Sequence, residues 1–540
     1  MMKQEKLWRL RLFLQWLKCG SNSAVILLFV ARLTAIAQSD YTDPYALSNF
    51  SRSDISSSIA GNYFIPAETL QADLKELRER ILETHQNPFT YCTEIEFETS
   101  WNKALHRVRS GLFYYDYARV VSDFLRVLRD SHTYVDFGSQ FEFYTHNNGR
   151  YCSFGVHDTG EGLFIAYDHD SLLAEGYELL SFNGYSAREI NASIYAYATS
   201  EGNSPEGTLR MKDALFPAMF PMHFPVNETN IVCLQAPVSN DTICLNYPGR
   251  TFDEWQQLRK ERRKSGKKNK QLPQPDQANT PVIAIDDMYS LQFLDSLDLA
   301  IVKVESFSHR SDVHFIRSMN QIFKAVKEHN TSNIAIDLRD NFGGKASRAL
   351  LLLGYAGVTW GRLPSNVIYR QSRLAHERND NVLTRFQEKY LDIFYRNNEE
   401  WQHFKRMMNL PAGAVDTIYY QTTTPISKYS FFGPASVWVN GRSASASVIF
   451  TSVFRKEERG PVIGQPCLGP ESGTWGNPTP FVLENSGLQI FLSTIRLNSD
   501  DSFNANPENI VPDISIPFRL KQGKEDSELF KEAVKKWLSN

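Results

Sequence analysis

NIAIDLRDNFGG, residues 333–344, opens as a mainly apolar stretch, with Ile334, Ala335 and Ile336 in succession, and closes on two adjacent glycines. A run with no polar alternation reads as a strand covered on both faces, the sort found in a sheet flanked by helices. Its neighbours agree. Asp298 to Val304 (DLAIVKV) is a second strand, Val313 to Val326 an amphipathic helix, and Ala346 to Leu353 the start of another. Val437 to Val439 (VWV) is a further buried strand, followed by a helix from about Ala444. Strands alternating with helices predict an α/β domain beyond Pro281.

Outward from that domain the grammar changes. Leu70, Leu74, Leu77, Ile81 and Leu82 recur at helical steps, and Tyr117 to Leu128 repeats the spacing, so a small helical domain is expected before residue 137. Residues 138–255 are β-rich, with GLFIAY, YELLSF and NIVCLQ bounded by Gly, Asn and Asp, and an Asn183-Gly184 turn. Residues 256–280, basic and then rich in Pro and Gln, read as a solvated linker or hairpin tip. Residues 360–430 read as an irregular polar-aromatic insertion, and Glu525 to Leu538 as a closing helix.

The N-terminus carries Lys3, Lys6, Arg9, Arg11 and Lys18, then the apolar run Ala24 to Val30 and the small-x-small triplet Ala35 to Ala37. That pattern predicts a signal peptide over 1–37 and export, with a polar tail over 38–62. The apolar run is too short to imply a stable membrane span. With 540 residues, two or three domains are expected, and a formal net charge of −3 gives no global field for nucleic acid. Cys233 and Cys244 flank APVSND between two strands; a cross-hairpin disulfide and two buried thiols are both open. No CxxC, HxxxH or HExxH spacing points to a metal, and no cofactor is expected.

Four segments can bear chemistry. In NGRSASASVIF (440–450) a strand ends, a glycine turns the chain, and small residues open a helix. That places a serine hydroxyl beside outward-facing N–H groups; an N-cap is the plain alternative. The Gly343-Gly344 turn frees backbone N–H groups for an oxyanion, or is simply a turn. DSHT (130–133) sets Ser131 beside His132, a general base or a helix-terminal histidine. The last segments are IGQPCLG (463–469) and ENIVPDISI (508–516).

Together and in this order, the four segments resemble the tail-specific, or C-terminal processing, serine proteases. YELLSFNGYSAREI looks like that family's PDZ-type domain. The resemblance implies a multidomain α/β protein: helical domain 63–137, PDZ-like domain 138–255, linker 256–280, ClpP/crotonase-like catalytic domain 281–520 and C-terminal helix 521–540. It implies Ser445 as nucleophile and the N–H groups of Gly344 and Ala446 as oxyanion donors. Pro470 stands where the lysine-dependent members carry their base, and Val448 where a Glu is common. The tricorn-like and retinoid-binding-protein-like branch is therefore more similar, which implies His132 as base and Ser131 as its supporting hydroxyl. That branch has a late glutamate, for which Glu508 is the candidate; Lys345 is a fallback base. The expected substrate is a polypeptide held by its C-terminus. A non-catalytic binding protein and an esterase or amidase are the alternatives on the same fold.

Overall fold

A computed structural model describes residues 62–147, 149–237, 239, 241–269, 282–358, 366–374, 402, 405, 406, 409–419, 427–499, 506–518 and 524–539. The segment expected as a signal peptide and nearly all of the expected polar tail lie outside the described residues, as does most of the 360–430 segment.

Helices α1 (Ala67–Thr84), α2 (Glu94–Arg107) and α3 (Tyr114–Leu125) come first. Leu70, Leu74, Leu77 and Ile81 form the buried stripe of α1 that their spacing predicts. The capping box of Thr93 and Glu96 fixes the start of α2. After α3 a left-handed Arg129 turns the chain through Asp130–Thr133 into the short strand β1 (Tyr134–Asp136).

The β-rich part follows: β2 (Phe154–Asp158), β3 (Leu163–Asp168), β4 (Glu178–Phe182), α4 (Ala187–Tyr195), α5 (Pro205–His223), β5 (Thr229–Gln235) and β6 (Thr242–Pro248). Asn183 and Gly184 both have positive φ and make the turn that their sequence predicts. Cys233 and Cys244 face each other across β5 and β6 and are disulfide-bonded. The helices and this sheet share one hydrophobic core. Leu74, Phe124, Phe154 and Phe220 belong to it together with Leu488 and Ile490 from far along the chain.

The first part of the segment expected as a linker differs, and residues 270–280 lie outside the described residues. Helix α6 runs Phe252–Asn269. Thr251 and Glu254 cap its first turn, and Trp255 stacks on Tyr151 at 5.1 Å. Lys, Arg, Glu and Gln are good helix formers, so a basic run continues a helix once a cap and an apolar anchor start it.

The C-terminal part comprises β7 (Val282–Ala284), β8 (Tyr289–Leu294), β9 (Leu299–Val304), α7 (Asp312–His329), β10 (Asn333–Asp337), α8 (Ala346–Tyr355), β11 (Asn366–Arg370), β12 (Val415–Tyr419) and β13 (Ala435–Val439). It continues with α9 (Ala446–Lys456), β14 (Val462–Gly464), β15 (Gly473–Val482), β16 (Gln489–Asn498), β17 (Ile514–Ser515) and α10 (Lys524–Leu538). Its seven-stranded sheet has the order β7-β8-β9-β10-β13-β14-β17. The strands are parallel from β9 to β17, and β7 and β8 add antiparallel. A second sheet, β12-β11-β16-β15, takes up Asn366–Arg370 and Val415–Tyr419 of the expected insertion. Strand β1 pairs antiparallel with β16. That ladder carries the N-terminal DSHT segment to the edge of the α/β part. Among the described residues no helix is long and apolar enough to cross a membrane.

Candidate active site

Strand β13 ends at Val439 and α9 begins at Ala446, so six residues reverse the chain between them. Asn440 organises that loop: its side-chain oxygen accepts from Arg442 N at 3.0 Å and from Asp340 N at 3.1 Å. Ser443 Oγ donates to Leu338 O at 2.8 Å, and Ser447 Oγ to Asn341 O at 2.9 Å. The nucleophile loop and the loop after β10 are thus tied at both ends. Held there, Ser445 adopts φ 53° and ψ −116° and makes no side-chain cap bond to the helix. A non-glycine residue in this region costs about 1–3 kcal/mol, and persists only where its surroundings impose it. The plain N-cap alternative therefore does not hold for Ser445.

The glycine turn packs directly behind it. A Cβ on Gly343 would lie 2.7 Å from Ala444 O, 2.7 Å from Ser445 Cβ and 2.9 Å from Ala446 N, and its φ is +98°. Only glycine lets the two loops approach so closely. Phe307 N donates to Gly343 O at 2.9 Å, and Lys345 N to Phe307 O at 3.2 Å. Those bonds use the groups either side of Gly344, so the N–H of Gly344 points away from Phe307. The N–H of Ala446 opens α9, at the end where a helix leaves donors unpaired and favours negative charge.

The third part arrives from 313 residues away. His132 Nε2 lies 3.2 Å from Ser445 Oγ. On the far side of the ring, Nδ1 is 3.3 Å from Ser131 Oγ and 3.4 Å from Glu201 Oε2. The Ser131 hydroxyl donates to Glu201 Oε2, and Ser131 N donates to the same oxygen at 3.1 Å. The other carboxylate oxygen accepts from Trp475 N at 2.6 Å and Thr474 Oγ1 at 2.9 Å. A fully buried carboxylate needs such donors. Below, Asp130 Oδ1 accepts from His132 N at 2.8 Å, while Oδ2 accepts from Thr133 Oγ1 at 2.6 Å and meets His85 Nε2 at 3.0 Å. His85 packs on Trp475 with ring centroids 4.5 Å apart. Burial alone would pull the His132 pKa down; the hydrogen bond and charge of Glu201, with the charge of Asp130, outweigh it and hold the imidazole above its ordinary value.

Sequence reasoning thus assembles Ser445, His132, Ser131, Gly344 and Ala446, and the structure brings them together. Glu508 is bonded to Asn203, two residues from Glu201, and not to His132 or Ser131. It is exposed, and its Oε1 accepts from Asn203 Nδ2 at 3.0 Å. The carboxylate behind the histidine is Glu201, in the loop after α4, which sequence reasoning missed. The fallback Lys345 is also otherwise engaged: its ammonium sits 3.0 Å from both oxygens of Asp312.

A serine hydroxyl, an imidazole, a carboxylate and two N–H groups at a helix start are the parts needed for acyl transfer. Residues 298–516 match the family model described as peptidase family S41. The fold is similar to that of mature CPAF in complex with lactacystin, at TM-score 0.58 and 14% identity, covering 87% of this chain and 98% of that one. It is likewise similar to a CPAF mutant, at TM-score 0.60 and 14% identity, covering 88% and 97%. No curated protein sequence matches the chain.

Proposed function

We propose that this chain is a serine-type peptidase of family S41, whose model residues 298–516 match, and that it acts through an acyl-enzyme on Ser445, with His132 as general base. The observation that carries the reading is the 3.2 Å approach of His132 Nε2 to Ser445 Oγ, across 313 residues. Ser445 Oγ attacks the scissile carbonyl as Nε2 takes its proton. The imidazolium so formed is stabilised at Nδ1 by Glu201, directly and through the Ser131 hydroxyl. The N–H groups of Gly344 and Ala446 bind the oxyanion, and losing one such donor typically costs roughly a hundredfold or more. His132 then returns the proton to the leaving amine, and water repeats the sequence on the ester. No step calls for a metal.

The substrate class is polypeptide. We propose that the β-rich part is PDZ-like and guides a chain end by strand addition, a mode in which main-chain bonds supply affinity. We also propose export, supported by the basic-apolar-small pattern of the leader and by the Cys233–Cys244 disulfide, a bond favoured in oxidising compartments.

The test is labelling of the purified mature protein with a fluorophosphonate probe. Wild type should label, and Ser445→Ala and His132→Ala should each abolish it. A folded wild type that does not label would sink the acyl-enzyme reading. Labelling that survives His132→Ala alone would leave the nucleophile and remove the base.

A further inference from the structure

Away from the catalytic groups, three side chains from three elements converge. Asp286 lies in the turn between β7 and β8, His309 in the loop between β9 and α7, and His314 in the first turn of α7. One ligand-type atom from each lies within 4.8 Å of the other two. Asp286 Oδ2 is 2.5 Å from His314 Nε2 and 3.6 Å from His309 Nε2.

Two details set this group apart from an ordinary ion pair. Asp286 Oδ1 accepts from Met288 N at 2.7 Å and Tyr289 N at 3.0 Å, which fixes the carboxylate so that Oδ2 faces both imidazoles. Outer hydrogen bonds of that sort orient the carboxylates of metal sites. In addition, His309 Nε2 is buried and has no hydrogen-bond partner. A buried polar atom left unpaired costs about 1–3 kcal/mol. Asp286 already satisfies His314, so the pair by itself does not account for the second histidine.

We propose that Asp286, His309 and His314 form a binding site for a divalent transition metal ion of the zinc type, with a fourth position open to water. Two imidazoles and one carboxylate suit zinc, cobalt or nickel, whereas calcium and magnesium call for oxygen donors. Bonds of about 2.0–2.1 Å in a tetrahedron put ligand atoms about 3.3 Å apart, so side-chain movements on the order of 1 Å close the site. Its placement gives it a consequence. Arg348 Nη1 donates to Phe307 O at 3.0 Å and His309 O at 2.8 Å, and Phe307 pairs with the Gly343–Gly344 turn. An ion on His309 would pin the loop against which the glycine turn is built.

Chelator-treated full-length protein is titrated with cobalt(II), read by its visible absorption, then with zinc as competitor; bound metal is counted by elemental analysis. One ion per chain is expected, with affinity falling tenfold or more in both His309→Ala and Asp286→Asn. Because Asp130, His132 and Glu201 also offer ligand atoms within 4.8 Å of one another, His132→Ala is the control and should bind as wild type does. Zinc should raise the melting temperature of wild type and leave that of His309→Ala unmoved, which reports on the site wherever a variant still unfolds cooperatively. Absence of binding, equal binding in His309→Ala, or loss in His132→Ala alone would each overturn the proposal. None of these readouts depends on peptidase activity.

Discussion

Replacing Glu201 by Gln keeps the shape behind His132 and removes its charge. The Glu201 carboxylate accepts from four donors: Trp475 N, Thr474 Oγ1, and both N and Oγ of Ser131. An amide has one oxygen. If that oxygen stays with Trp475 and Thr474, the NH2 group confronts the Ser131 N–H donor; the flipped amide strands the other pair. The imidazolium that forms during proton transfer loses its charged partner in either case. A hydrogen bond to a charged group contributes about 1.5–3 kcal/mol, which corresponds to a rate loss of roughly ten- to 150-fold. The pH dependence has a definite sign. His132 must be neutral to act as base, and its pKa is held above the ordinary value, so the wild-type rate climbs as pH rises through that raised value. Without the Glu201 charge, burial pulls the pKa down, and the acid limb moves to lower pH while the plateau falls. The deficit of the variant should therefore shrink in acid. The assay is the second-order rate of fluorophosphonate labelling across the range in which an imidazole titrates, with thermal unfolding alongside to register the stranded donors. An unmoved limb with an unchanged plateau, or a limb displaced to higher pH, would refute the assignment of Glu201.

Three further substitutions probe the same centre. Ser445→Ala and Ser445→Gly should both lose labelling, but Gly should melt higher, by about 1 kcal/mol of stability, because φ 53° with ψ −116° suits only glycine; an Ala variant at least as stable as Gly would show that the elbow is not strained. Gly343→Ala places a methyl group 2.7 Å from both Ala444 O and Ser445 Cβ, so labelling should fall about a hundredfold or more as an oxyanion donor is displaced, and wild-type labelling would contradict the close packing of the two loops. Glu508→Gln, on an exposed side chain, should change the labelling rate by no more than about twofold; a drop matching that of Glu201→Gln would return the supporting carboxylate to the C-terminal segment.

What could be read in the sequence follows how local each signal is. The strand β10, the glycine turn and the NGRSASAS loop declare themselves because continuous apolar runs and paired glycines have few other uses, and their meaning is carried within a dozen residues. His132 is harder, since a histidine beside a serine is common; what gives it a role is the ladder between β1 and β16, a pairing across some 350 residues that no local pattern encodes. Helix α6 was hidden by composition: charge density reads as solvent exposure, and the anchor that makes it a helix is a single stacked Trp255. Glu201 is the extreme case. It sits in SEGNS, a stretch with every mark of an ordinary turn, and nothing nearby signals that its carboxylate is buried. Its burial is possible only because donors from Ser131 and from Thr474 and Trp475, 70 and more than 270 residues away, meet it in the fold. A buried charge is specified by its partners rather than by its flanks, so the residue that tunes the base is the one whose role the chain can state only after folding.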